Sequence, residues 1–109
     1  MATVSIDDPV LKHITETIVR EFHPLHIILF GSRARGEAGP DSDYDVLVEM
    51  ESAKPFYDRL VDIHRALGLR DFSFDVLAFT PAEMAEERTK FYSVAKIAEK
   101  EGVTVYDSR

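Results

Sequence analysis

From Asp8 to Phe22 the apolar residues Val10, Leu11, Ile14, Ile18 and Phe22 recur at steps of three and four, which places them on one face of a helix. Asp7 or Asp8 is placed to cap it, Pro9 fits its first turn, and His23 and Pro24 stop it. Leu25 to Phe30 is then an unbroken, Ile-rich apolar run, too short for a helix and suited to a central strand buried on both faces. Gly31 ends that strand, Ser32 to Glu37 forms a short helix, and Ala38 to Ser42 is a turn. From Asp43 to Met50 polar and apolar residues largely alternate: Asp43, Asp45 and Leu47 take one face of a second strand, and Tyr44, Val46 and Val48 the other.

After a loop from Glu51 to Lys54, Pro55 opens a helix whose stripe is Phe56, Leu60, Ile63 and Leu67, ending near Gly68. The third strand is predicted over Asp71 to Phe79, with Phe72, Phe74, Val76 and Ala78 on one side and Ser73, Asp75, Leu77 and Phe79 on the other. Thr80, Pro81 and Glu83 combine an N-cap hydroxyl, a first-turn proline and a capping-box carboxylate, and the helix they start runs to about Lys100. Gly102 ends it, and Val103 to Tyr106 makes a short edge strand. This order describes an α/β (α+β) layer fold, a small mixed sheet of about four strands flanked by helices, occupying residues 1–109 as one domain.

Composition narrows the chemistry. Against 13 Lys and Arg stand 20 Asp and Glu, a formal net charge of -7, which disfavours a sequence-independent grip on nucleic acid. With no cysteine there is no disulfide, no thiol nucleophile and no thiolate metal site, so a metal would take oxygen or imidazole ligands. The N-terminal residues lack a basic start followed by an apolar run, and no stretch approaches the roughly 18 apolar residues of a membrane span, so a soluble, cytoplasmic protein without membrane contact is expected.

Three carboxylates and a Gly-Ser step carry the candidate chemistry. Asp43 and Asp45, two apart on a strand, share a face with Cα atoms about 6.7 Å apart, a span that hard cations bridge. Asp75 interrupts the apolar run FSFDVLAF, where a carboxylate costs desolvation unless it is paired or bound to metal. If the third strand lies beside the second, the three converge, repel one another and hold protons until a divalent cation arrives. Magnesium suits such a site and completes its shell with water and substrate phosphates, which points to a nucleotide. Gly31 and Ser32 sit where a strand hands over to a helix, so first-turn amides and the Ser32 hydroxyl face a phosphate site, with Arg33 and Arg35 nearby. The two arginines point in different directions on a helix; Arg33 is the phosphate candidate, and Arg35 is left as a surface charge or partner contact. His13, His23, His26 and His64 show no metal-ligand spacing and are assigned to surface or interface. Phe72, Phe74, Phe79, Phe91 and Tyr92 are assigned to the core or a partner groove.

The segment GSRARGEAGPDSDYD, reading Gly31-Ser32, ten residues, then Asp43-x-Asp45, with Asp75 on a later strand, closely resembles the DNA polymerase beta-like nucleotidyltransferase superfamily. In compactness and in its GSRARG and SDYD wording the chain looks most like the minimal nucleotidyltransferases that act as antitoxins beside HEPN-domain toxins. The resemblance implies the palm-like fold of that superfamily, phosphate binding by Gly31, Ser32 and Arg33, and two magnesium ions on Asp43 and Asp45. Asp75 would ligate one ion and help deprotonate the acceptor. It further implies ATP as donor and, as acceptor, a tyrosine of a HEPN ribonuclease toxin in a hetero-oligomer, as in type VII-like toxin-antitoxin pairs. Two other readings stay open: neutralisation of the toxin by occlusion, and transfer to a small molecule such as an antibiotic, for which a homodimer could build the missing wall.

Overall fold

The structure, a computed structural model, describes residues 8–109. Helix α1 spans Pro9–Phe22, and the Asp8 carboxylate caps it by accepting the amides of Val10 at 3.0 Å and Leu11 at 3.1 Å. Asp7, the other capping candidate, lies outside the described residues. The helix ends at His23, which takes a left-handed conformation, with Pro24 following. The remaining elements are β1 (His26–Phe30), α2 (Ser32–Arg35), β2 (Tyr44–Glu49), α3 (Phe56–Leu67), β3 (Phe74–Phe79), α4 (Pro81–Glu87), α5 (Val94–Glu101) and β4 (Val103–Asp107).

The four strands form one sheet in the order β3-β2-β1-β4. Strand β1 runs antiparallel to both β2 and β4, whereas β2 and β3 are parallel, so the sheet is mixed as expected. Interior position explains the all-apolar run of β1: Ile27, Ile28 and Leu29 are buried from both sides. On one face Ile27, Leu29, Tyr44, Val46, Val48, Phe74, Val76 and Ala78 pack with Leu11, Ile14 and Ile18 of α1 and Ile63 and Leu67 of α3. On the other, Ile28 and Leu47 pack with Met84 of α4 and Ala95 and Ala98 of α5. This second layer is the thinner one, and it reaches Leu47 but not Asp45, one alternation step nearer the start of β2.

Several boundaries differ from expectation: β1 begins at His26 instead of Leu25, α2 ends at Arg35 instead of Glu37, β4 runs on to Asp107, and three further differences are larger or bear on the site. The helix predicted from Pro81 to Lys100 is two helices. The capping box at Thr80 is present, with Thr80 N donating to Glu83 Oε1 at 2.9 Å and Glu83 N donating to Thr80 Oγ1 at 3.2 Å. After Glu87, however, the Thr89 and Lys90 amides turn back to the carbonyls of Glu86 and Glu87, and Ser93 Oγ accepts from Ala95 N at 3.1 Å to cap a new helix. Phe91 and Tyr92 in this connection are exposed rather than part of the core. Strand β3 starts at Phe74 instead of Asp71, because its partner β2 starts at Tyr44 and only one further bond, Tyr44 N to Ser73 O, extends the pairing. For the same reason Asp43 precedes β2 instead of opening it.

A buried cation ties the layers. Arg59 of α3, 5% exposed, donates to Glu83 Oε1 at 2.6 Å, to the Ala78 carbonyl at 2.9 Å and to the Lys54 carbonyl at 3.0 Å, joining α3, β3 and the start of α4. Among the described residues no helix is long and apolar enough to cross a membrane.

Candidate nucleotide and metal site

The end of the sheet where β1 finishes and β2 and β3 begin collects the candidate residues. Phe30 pairs with Asp45 across the antiparallel ladder, and the chain then turns at Gly31 with φ 78° and ψ -158°, a combination essentially restricted to glycine. Space demands glycine as well: a Cβ built there would overlap Asp45 Oδ2 and press on its Cγ. Gly31 therefore forms one wall of the pocket that seats the Asp45 carboxylate. Beyond it, the amides of Ala34 and Arg35 close on the Gly31 carbonyl, and the single turn of α2 begins with first-turn amides that have no acceptor within the helix.

Residues 36–42 return the chain to the carboxylates. Gly36 ends α2 in a left-handed conformation, Ser42 N donates to Gly39 O at 3.2 Å, and Gly39 N donates to Ser42 Oγ at 2.9 Å, so the loop carries its own tight turn. In the parallel pairing of β2 with β3, Asp45 stands opposite Asp75. Residues facing each other in adjacent strands point to the same side, about 4.8 Å apart, and Asp43 lies two residues before Asp45 on that side. As a result Asp43, Asp45 and Asp75 each bring a carboxylate oxygen within 4.8 Å of the other two. The convergence inferred for neighbouring strands is what the structure has.

Burial is distributed differently from the sequence expectation. Asp75 is exposed, not buried: β3 is the edge of the sheet and the thin α4–α5 layer stops short of it. Asp45 is the half-buried member, and its pKa is raised by desolvation first, then by the charges of Asp75 and Asp43, against a smaller opposing pull from Arg35. Three oxygen donors, one of them held above its ordinary pKa by desolvation and then by the other two charges, make a set that a divalent cation fits: it would relieve the repulsion and satisfy hard-ligand preference together.

Arg33 and Arg35 part company as their helix positions require. Arg35 pairs with Glu37 at 2.7 Å on the surface and is the cation nearest in effect to Asp45. Arg33 turns inward, donating from Nε and Nη2 to the Ser42 carbonyl at 3.0 and 2.8 Å, with its guanidinium carbon 3.8 Å from the Tyr44 ring centroid. Tyr44 in turn donates its hydroxyl to Asp8 Oδ2 at 2.9 Å, linking the site to the cap of α1. Burial and this bond raise the Tyr44 pKa. The link between Asp8 and Tyr44 was not legible, since the two lie 36 residues apart. Of the histidines, His26 is not a free surface residue: its side chain is mostly covered at the far end of the sheet, Nε2 lying 2.8 Å from Thr104 Oγ1.

Comparison with known proteins bears on the fold and the family. No curated protein matches the chain. A crystal structure of a protein from Sulfolobus solfataricus, described as a candidate nucleotidyltransferase, superposes with a TM-score of 0.62 over 91% of this chain and 78% of that one, at 24% identity, and so shares the fold. The family model for the nucleotidyltransferase domain matches residues 11–105, a span that takes in β1, the Gly31-Ser32 turn and all three carboxylates. The chain belongs to the nucleotidyltransferase domain family.

Proposed function

We propose that the chain transfers AMP from Mg-ATP to a tyrosine hydroxyl of a partner protein, a HEPN-domain ribonuclease toxin, and thereby serves as its antitoxin. The observation that carries nucleotidyl transfer is the triad of carboxylate oxygens within 4.8 Å of one another, walled by Gly31. Asp43 and Asp45 would hold two magnesium ions, and Asp75 would share one of them. Ions held there would supply Lewis-acid polarisation of the α-phosphate and charge neutralisation for the departing pyrophosphate. Gly31 admits phosphate oxygens close to the backbone, and the Ser32 amide and hydroxyl are the donors nearest that turn.

As the acceptor oxygen bonds to the α-phosphorus, the bond from that phosphorus to the bridging oxygen of the β-phosphate breaks and pyrophosphate leaves with the bonding pair. The hydroxyl proton passes to the Asp75 carboxylate. Asp75 suits this task because it is exposed on the edge strand, reachable by a group carried on another protein. Asp43 is exposed too, so the site opens outward and does not enclose a small acceptor. This openness favours a macromolecular acceptor over an antibiotic.

The test incubates the protein with α-labelled ATP, magnesium and the protein encoded beside it. Label on a partner tyrosine, absent with Asp43→Ala, is expected. No transfer, or equal transfer by Asp43→Ala, overturns the proposal, and protection of cells by an inactive Asp43→Ala, Asp45→Ala protein would favour occlusion instead.

A further inference from the structure

Asp43 differs from its two partners in what holds it. Asp45 and Asp75 lie in the β2–β3 ladder, whereas Asp43 precedes the first paired residue, Tyr44. Its backbone belongs to a loop containing Gly36, Gly39 and Pro40, whose internal bonds join only Gly39 and Ser42. Some other group must fix the direction from which its carboxylate approaches the pair.

Arg33 contacts the residue on each side of it. Two of the five guanidinium donors go to the carbonyl of Ser42, immediately before Asp43, and the planar group lies over the ring of Tyr44, immediately after it. Tyr44 is itself anchored: its amide donates to the Ser73 carbonyl at 2.9 Å, its hydroxyl to Asp8, and its ring meets Phe72 edge-on at 5.9 Å between centroids. The guanidinium thus bridges α2, which starts at the Gly31-Ser32 turn, to an immobile point between Asp43 and Asp45.

The geometry points to Arg33 as a positioning residue that orients the Asp43 carboxylate by clamping the backbone on both sides of it, rather than as a ligand of phosphate. The inference rests on the triad being the metal site. Groups that orient a ligand in this way change metal affinity or activity by about 10–100-fold when removed.

Mn2+ serves as the probe, titrated by electron paramagnetic resonance into nucleotide-free wild type, Asp45→Asn, Arg33→Met and Arg33→Gln, with amide hydrogen exchange followed over residues 36–43. Asp45→Asn is expected to abolish specific Mn2+ binding. Arg33→Met should weaken it by about 10–100-fold and speed exchange in that loop alone, and Arg33→Gln, whose amide still reaches the Ser42 carbonyl, should recover part of both. In turnover with Mg-ATP, Arg33→Met should lower kcat and leave KM for the nucleotide unchanged. Unchanged Mn2+ affinity in Arg33→Met, with a raised nucleotide KM, would overturn the inference and return Arg33 to phosphate binding. Mn2+ binding that survives Asp45→Asn would instead overturn the metal reading beneath it. Should Arg33→Met not fold, Arg33→Gln is read by the same criteria.

Discussion

Gly31→Ala separates two reasons for a glycine beside Asp45. The first is backbone: with φ 78° and ψ -158° an alanine is held in a region it rarely occupies, at about 1–3 kcal/mol. The second is space. The new Cβ would overlap Asp45 Oδ2, and swinging that carboxylate off its rotamer costs about 0.5–1.5 kcal/mol more. Together these reach about 1.5–4.5 kcal/mol, and since each kcal/mol moves the melting midpoint by roughly 4–8 °C in a chain of this size, the fall should lie between about 6 and 36 °C. Gly36→Ala is the matched control. Gly36 also has positive φ, 75°, but nothing lies within 4 Å of its Cβ position, so only the left-handed backbone cost of about 1–2 kcal/mol applies and activity should persist.

Thermal unfolding by circular dichroism of Gly31→Ala, Asp45→Ala and the double variant isolates the steric part. Asp45→Ala removes the overlapping atoms, so the second substitution should cost less in that background by about 0.5–1.5 kcal/mol. If Gly31→Ala destabilises no more than Gly36→Ala and shows no coupling to Asp45→Ala, the glycine is not there to seat the carboxylate, and the account of this wall is wrong.

Asp45→Asn should abolish nucleotidyl transfer yet raise the melting midpoint of the metal-free protein, because the raised pKa means that the ionised carboxylate is disfavoured in the fold; a lower midpoint would contradict this. His26, whose pKa is lowered below 6.5 first by desolvation and then by Arg109, is held neutral in the fold. Its contribution to stability is therefore present above pH 6.5 and lost as the pH falls below that value through the folded pKa, and urea unfolding from pH 8 to 5 should show a shallower decline in His26→Gln, with His64, lowered for the same first reason, supplying the remainder. Arg59→Met should cost about 2–3 kcal/mol in urea unfolding, since it strands Glu83 and the Ala78 carbonyl; a loss below about 0.5 kcal/mol would mean that Arg59 contributes mainly packing.

The apolar periodicities of α1, α3 and β1 and the alternation in β2 were readable because each element is paired with a layer whose geometry demands that spacing. So was the convergence of Asp43, Asp45 and Asp75, which needs only the adjacency of two strands. The break at residues 88–93 leaves little trace in the residue types, because Arg88, Thr89 and Lys90 are tolerated in a helix, and only the hydroxyl of Ser93, acting as a second N-cap, marks the new start. The exposure of Asp75 is hidden for a different reason: an apolar run with one carboxylate looks buried until the strand order puts it at an edge. The inward turn of Arg33 depends on a loop carbonyl, and backbone carbonyls leave no signature in residue types.

The split between ladder and loop also sets how the site would breathe. The backbones of Asp45 and Asp75 can part only when the β2–β3 pairing opens. Asp43, outside that ladder, can swing away once Arg33 lets go of the Ser42 carbonyl, a local opening that leaves the sheet intact. Two arms of the cluster are therefore held by strand pairing and the third by one side chain, so the easiest way to open the cluster would be release of the Arg33 clamp and not the unfolding of the domain.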